Sequence, residues 1–169
     1  DVRAEIMWAG TLSHNDITGD RSQGDWASHQ LEHELGGMFD IAHGAGLAAI
    51  WGSWARYVLK QNPCRFAQLA VNVLNVPYSF GNDEKTALEG IAAMEDFFRS
   101  IGMPTSISDM EIELTDTQIK ELAHKCSFMG RRTIGGFVTL NAADIENIKT
   151  AAILAAETFT LFKIQRTSS

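Results

Sequence analysis

The chain has 169 residues, 45% apolar and 21% charged, which suits one folded domain with a real core and excludes an intrinsically disordered segment. Its formal charge of −7 argues against a nucleic-acid backbone or an anionic membrane as partner, since both need a basic face. No apolar run is long enough to span a bilayer.

In chain order, Asp1 to Asn15 carries Val2, Ile6, Ala9 and Leu12 on a helical period. The chain starts at Asp1 without an initiator Met, so this helix reads as one that something precedes. Asp16 to Gly24 is a loop rich in Asp, Gly, Ser and Thr. Ser22 followed by Asp25 resembles a capping box for the next helix. On that helix His29 and His33 are four residues apart and share a face. Gly36 and Gly37 are expected to end it, because glycine tolerates the left-handed conformation of a C-terminal cap. A short return then brings in His43. Three imidazoles gathered by a helix, its end and a return suit a divalent transition metal. An isolated pair of histidines one turn apart is more often structural.

Ala45 to Leu59 is apolar with a single charge at Arg56, the pattern of a central buried helix in which Trp51 and Trp54 pack the core. Asn62-Pro63 breaks the chain. The next helix, Phe66 to Leu74, is expected to pack through Leu69, Ala70 and Val73. A loop with Pro77 and Gly81 follows, and Asn82 or Asp83 caps a helix over Glu84 to Ile101 with Leu88, Ile91, Ala92, Phe97 and Phe98 inward. Gly102 and Pro104 stop it. Ser106 to Glu113 is irregular with at most one helical turn, and Thr115 or Asp116 caps a helix to about Cys126. Met129 to Phe137 is a loop in which Arg131 and Arg132 are expected to face solvent. Asn141 with Asp144 starts a last helix from Ala142 to about Ala156. Strand signals are almost absent, and the class is all-α. Cys64 and Cys126 form no CxxC pair and no signal peptide is visible, so both are read as buried reduced thiols in a cytoplasmic protein.

The run Asp25-Trp26-Ala27-Ser28-His29, Glu32-His33-Glu34-Leu35 and Ala42-His43-Gly44-Ala45-Gly46-Leu47-Ala48 resembles the C-terminal metal signature of the iron-containing (group III metal-dependent) alcohol dehydrogenase family. The likeness is greatest to its bacterial butanol dehydrogenase branch. Met7-Trp8-Ala9-Gly10-Thr11, Phe97-Phe98 with Ile101-Gly102-Met103-Pro104, and Gly130-Arg131-Arg132-Thr133-Ile134-Gly135 carry the same resemblance, which runs from about Ile6 to Ala151. It implies the multi-helix C-terminal domain of a two-domain enzyme, with the dehydroquinate synthase-like α fold. Residues 1–152 would be that helical metal-binding domain, and 153–169 a divergent or non-native tail.

The resemblance further implies that Fe²⁺ or Zn²⁺ is held by one Asp and three His. His29 and His43 would be the last two of these, and the other two ligands would lie upstream of Asp1. His33 would stand by the nicotinamide and substrate and relay a proton. NAD or NADP would be bound mainly by an N-terminal domain that this chain lacks, and no glycine-rich dinucleotide fingerprint follows a strand here. The substrate would be a small alcohol or aldehyde. The chain alone is expected to be inactive, to hold metal weakly, and to expose an apolar docking face that favours self-association or a homodimer.

Two rivals stand beside this. His29-Gln30-Leu31-Glu32-His33 spells H-x-x-E-H, an inverted zinc-protease motif in which both histidines bind zinc and Glu32 activates water. The other is a helical interaction module without catalysis. His14 at a helix end and His124 in a charged helix are expected to be surface residues.

Overall fold

A computed structural model describes residues 1–17, 19 and 24–153. They form helices α1 (Val2–His14), α2 (Ala27–Phe39), α3 (His43–Val58), α4 (Pro63–Leu74), α5 (Asp83–Ser100) and α6 (Asp116–Cys126), with a last helix, α7, over 142–153. Single 3-10 turns lie at Leu59–Gln61 and Ser108–Met110. The only β feature among the described residues is a bridge between Ile134 and Leu140. The all-α expectation holds. The expected tail and the far end of the last helix lie outside the described residues, apart from Ile153.

Local chemistry sets most helix starts. Asn62 caps α4 by accepting from the Arg65 amide, with Pro63 in the first turn, where its missing N–H costs nothing. Asn82 caps α5 through the Lys85 amide. Asn141 accepts from the Ala143 and Asp144 amides, and Asp144 accepts in return from Asn141 N. Thr115 and Gln118 form a reciprocal box at α6. Thr115→Ala should therefore lower stability by about 1 kcal/mol in urea unfolding. No loss would mean that α6 is held by packing alone.

The start of α2 is different. Its N-cap is Trp26, which makes no side-chain cap, and Ser22 is outside the described residues. Asp25 instead accepts from Ala27 N with one oxygen, and from Gly136 N and Phe137 N with the other. The carboxylate ties the first turn of α2 to a loop more than a hundred residues away.

The core lies among α2, α3, α5, α6 and α7, with Leu31, Leu35, Ile50, Ile91, Leu122, Ile145 and Ile148 almost fully buried. As expected, α3 is buried over much of its surface, and Trp51 and Trp54 pack against Phe98 and Phe66. A buried carboxylate, Glu95 of α5, is clasped by both guanidinium nitrogens of Arg56 on α3, one of them at 2.7 Å. Gly52 leaves the room it occupies.

The inward faces of α4 and α5 match expectation at Ala70 and Ile91 and differ elsewhere. Phe66, Ala67 and Ala70 are the buried residues of α4, while Val73 is exposed. Thr86, Ala87, Gly90, Ile91 and Glu95 are buried on α5, while Leu88 and Phe97 are exposed. The two helices meet where Gly90 faces Ala70, and this close approach selects the small-residue face over the bulkier one. Cys126 is buried as expected, but Cys64 is exposed, because the first turn of α4 turns it to solvent. Arg132 does not simply face solvent: its guanidinium lies 3.6 Å from the Phe128 ring centroid and donates to the Cys126 carbonyl. Helix α1 has no buried residue and leaves Val2, Ile6, Met7 and Trp8 exposed. No described helix is long and apolar enough to cross a membrane.

Candidate metal centre

The site forms at the joint between α2 and α3. Contrary to expectation, Gly36 and Gly37 do not end α2; they lie inside it, and the helix runs on to Phe39. Asp40 ends it in the left-handed conformation (φ 52°), its amide bonded to the Gly36 carbonyl. Asp is among the few non-glycine residues that adopt this conformation readily. Ala42 is extended, and α3 then starts at His43. This tight reversal brings the first residue of α3 back beside the middle of α2.

The three histidines therefore converge. Ring centroids are 5.4 Å apart for His29 and His43, 5.3 Å for His33 and His43, and 6.3 Å for His29 and His33. Trp26 meets His29 edge-on at 4.8 Å. The Nδ1 atom of His29 is buried without a hydrogen-bond partner. Burial, reinforced by the neighbouring His43 and His33, pushes the His29 imidazole below its ordinary value, so it is held neutral with a lone pair to offer. A cluster of imidazoles with an orphaned ring nitrogen is the donor set a borderline-soft divalent ion accepts.

In the sequence Glu32 has a role only under the H-x-x-E-H reading, as the group that activates water. It is 2% exposed, and its Oε2 is bonded to Nδ1 of His43. Oxygen and ring-nitrogen atoms of Glu32, His33 and His43 lie within 4.8 Å of one another, so these three also form a candidate metal-binding cluster. The signal for Glu32 is the pair of glycines at 36 and 46, but its meaning depends on how α2 and α3 pack. The Glu32 carboxylate is turned into the helix joint, which does not suit the water-activating role that the H-x-x-E-H reading gives it.

The other histidines are apart from this centre or at its margin. His14 is exposed at the last turn of α1, though near enough to His29 to disfavour its protonation. His124 is exposed on α6.

Residues 1–153 match the family described as "Fe-containing alcohol dehydrogenase family, C-terminal". The chain is 37% identical over 153 residues to the "Probable NADH-dependent butanol dehydrogenase 1" of Bacillus subtilis (strain 168), a match covering 90% of this chain and 38% of that protein. The crystal structure of Escherichia coli K-12 YqhD superposes with a TM-score of 0.80 at 31% identity, covering 90% of this chain and 38% of that one. The structure of NADH-dependent butanol dehydrogenase A from Thermotoga maritima gives a TM-score of 0.76 at 28% identity, with coverages of 86% and 37%. The chain thus spans well under half the length of each of these proteins.

Proposed function

The chain belongs to the iron-containing alcohol dehydrogenase family through its C-terminal domain, and from that membership we propose that it supplies the metal-binding part of an NAD(P)-dependent enzyme interconverting small primary alcohols and aldehydes. The observation that carries the reading is the convergence of the His29, His33 and His43 rings, together with the buried, unpartnered Nδ1 of His29. His29 and His43 would hold Fe²⁺ or Zn²⁺. The ion's contribution is Lewis acidity toward the oxygen of the alcohol or aldehyde.

The chain's own residues do the rest by position. Trp26 packs against the His29 ring, and the tight turn at Asp40 holds α3, and with it His43, beside α2. His33 lies on the open side of the cluster and is exposed, so a bound alcohol can reach its imidazole. A ring nitrogen there can take up or return the hydroxyl proton, since an imidazole exchanges protons near physiological pH. NAD or NADP would be held mainly by a separate nucleotide-binding domain. The exposed apolar residues of α1 fit a surface that docks against such a domain or another copy. In this reading the chain alone has no dehydrogenase activity and holds metal weakly.

The test is a calorimetric titration with Zn²⁺, and anaerobically with Fe²⁺, of the chain and three variants. His29→Ala and His43→Ala should each weaken binding by about tenfold or more, whereas His33→Ala should leave it near the parent value. Binding that needs His33 and ignores His29 would replace this assignment with the Glu32, His33 and His43 cluster.

A further inference from the structure

We infer that Glu32 is a positioning residue: seated in a cradle left by Gly36 and Gly46, it holds the His43 ring so that Nε2, and not Nδ1, faces the metal position. The inference rests on the proposed role of His43, and its test separates the two.

The helix period explains how α2 presents both sets of groups. His29 and His33 are one turn apart on one face. Glu32 and Gly36 are one turn apart on the adjacent face, which turns toward α3. There the Glu32 side chain is almost fully enclosed. A Cβ at position 36 would lie 2.8 Å from Oε1 of Glu32. One at position 46 would lie 2.7 Å from its Cγ, 2.8 Å from Oε1 and 3.0 Å from the Ile41 side chain. Glycine at 46 leaves space for the stem of this side chain, and glycine at 36 lets its carboxylate lie where it does. Gly36 therefore stays inside α2 as clearance for a side chain, not as a cap.

A buried carboxylate is retained only where its oxygens are satisfied. Oε2 meets Nδ1 of His43. A carboxylate can only accept, so Nδ1 carries the hydrogen, and in the neutral ring it is Nε2 that keeps the lone pair. Free neutral imidazole side chains favour the opposite tautomer, so the ring's preference must be imposed by its partner. A carboxylate on the far nitrogen also fixes the plane of a ligating imidazole and raises its basicity. Glu32 is thus more than a packing group. It selects which His43 nitrogen is available before any ion arrives.

The experiment uses the chain labelled with ¹⁵N at histidine and is recorded over a pH series, so that the neutral form of each ring is identified from its own resonances. Long-range ¹H–¹⁵N correlation reads the tautomer of each ring. His43 should be protonated at Nδ1 in the parent and in Glu32→Gln, whose amide oxygen still accepts, and predominantly at Nε2 in Glu32→Ala. Added Zn²⁺ should move the Nε2 resonance of His43 and leave Nδ1 in the N–H range, and Glu32→Ala should bind Zn²⁺ about tenfold more weakly. A parent His43 protonated at Nε2, a tautomer indifferent to Glu32→Ala, or a Zn²⁺ shift at Nδ1 would each overturn the inference. If Glu32→Ala fails to fold, the parent and Glu32→Gln spectra still decide it. If His29→Ala and His43→Ala leave Zn²⁺ affinity unchanged, the proposed function fails while the tautomer result stands. If they lose affinity and the tautomer ignores Glu32, the positioning role alone fails.

Discussion

Gly90→Ala should destabilise the chain by about 3 kcal/mol, at the upper end of the range for overpacking a close-packed interior. The added Cβ would press directly on Cβ of Ala70 and come within 3.0 Å of its Cα. A flexible side chain could swing aside, but this is backbone at the fully buried Ala70 of α4, so the helices must part. Parting them opens gaps along the α4–α5 contact and loses dispersion contacts there. Helix propensity works the other way, favouring alanine by about 1 kcal/mol, and the net loss remains large. Urea unfolding reads it. The compensating pair Gly90→Ala with Ala70→Gly should return to within about 1 kcal/mol of the parent, because it moves the methyl to the opposite helix. Gly37→Ala, where a Cβ meets nothing within 4 Å, should leave stability unchanged or raised by up to about 1 kcal/mol. Should Gly90→Ala prove equally harmless, the α4–α5 contact is not as close as described.

The second large effect is in pH. Lys149 of α7 is fully buried, donates to the Leu31 carbonyl on α2 at 2.7 Å, and lies near the buried Cys126 thiol. Burial pulls its ammonium down to about 8 from 10.5. Between these values the unfolded chain binds more protons than the folded one, so stability rises with pH across this window; below about pH 8 the full cost of burying the charge is present. The difference corresponds to about 3 kcal/mol. Lys149→Met fills similar space without a charge. It should be more stable than the parent at about pH 7.5, and that advantage should shrink by about 3 kcal/mol on going to about pH 10.5. Burial raises the Cys126 thiol, which gives stability the opposite slope above its ordinary value. Cys126 is present in both proteins, so its effect largely drops out of the comparison. A gap that stays flat with pH would mean that Lys149 keeps its proton in the folded chain or reaches water.

Part of the molecule was legible in the residues alone, and where it was, the cause was local. Asn82, Thr115 and Asn141 each start a helix, because a cap satisfies amides two or three residues away and needs nothing from the rest of the fold; Asn62, read only as a break, caps α4 in the same way. The four-residue spacing of His29 and His33 placed both on one face for the same reason, and the short return to His43 made their convergence readable. The motif around them also carried the family, which the match over residues 1–153 shows.

The misreadings share a different cause. Gly36 and Gly37 look like a helix stop when only α2 is considered. The helix runs through Gly36 and ends at Asp40, and Gly36 instead gives clearance to Glu32, whose own place depends on Gly46 of another helix. Leu88 and Val73 look like core on hydropathy, but the approach of Gly90 to Ala70 turns a different face inward. Asp25 looks like part of a cap and instead spans to Gly136 and Phe137. Local sequence determined the helices, most of their starts and the face on which His29 and His33 stand. Only tertiary packing decided where α2 ends, which faces meet, and which nitrogen of His43 meets Glu32, since each depends on volumes and partners supplied by residues distant in the chain.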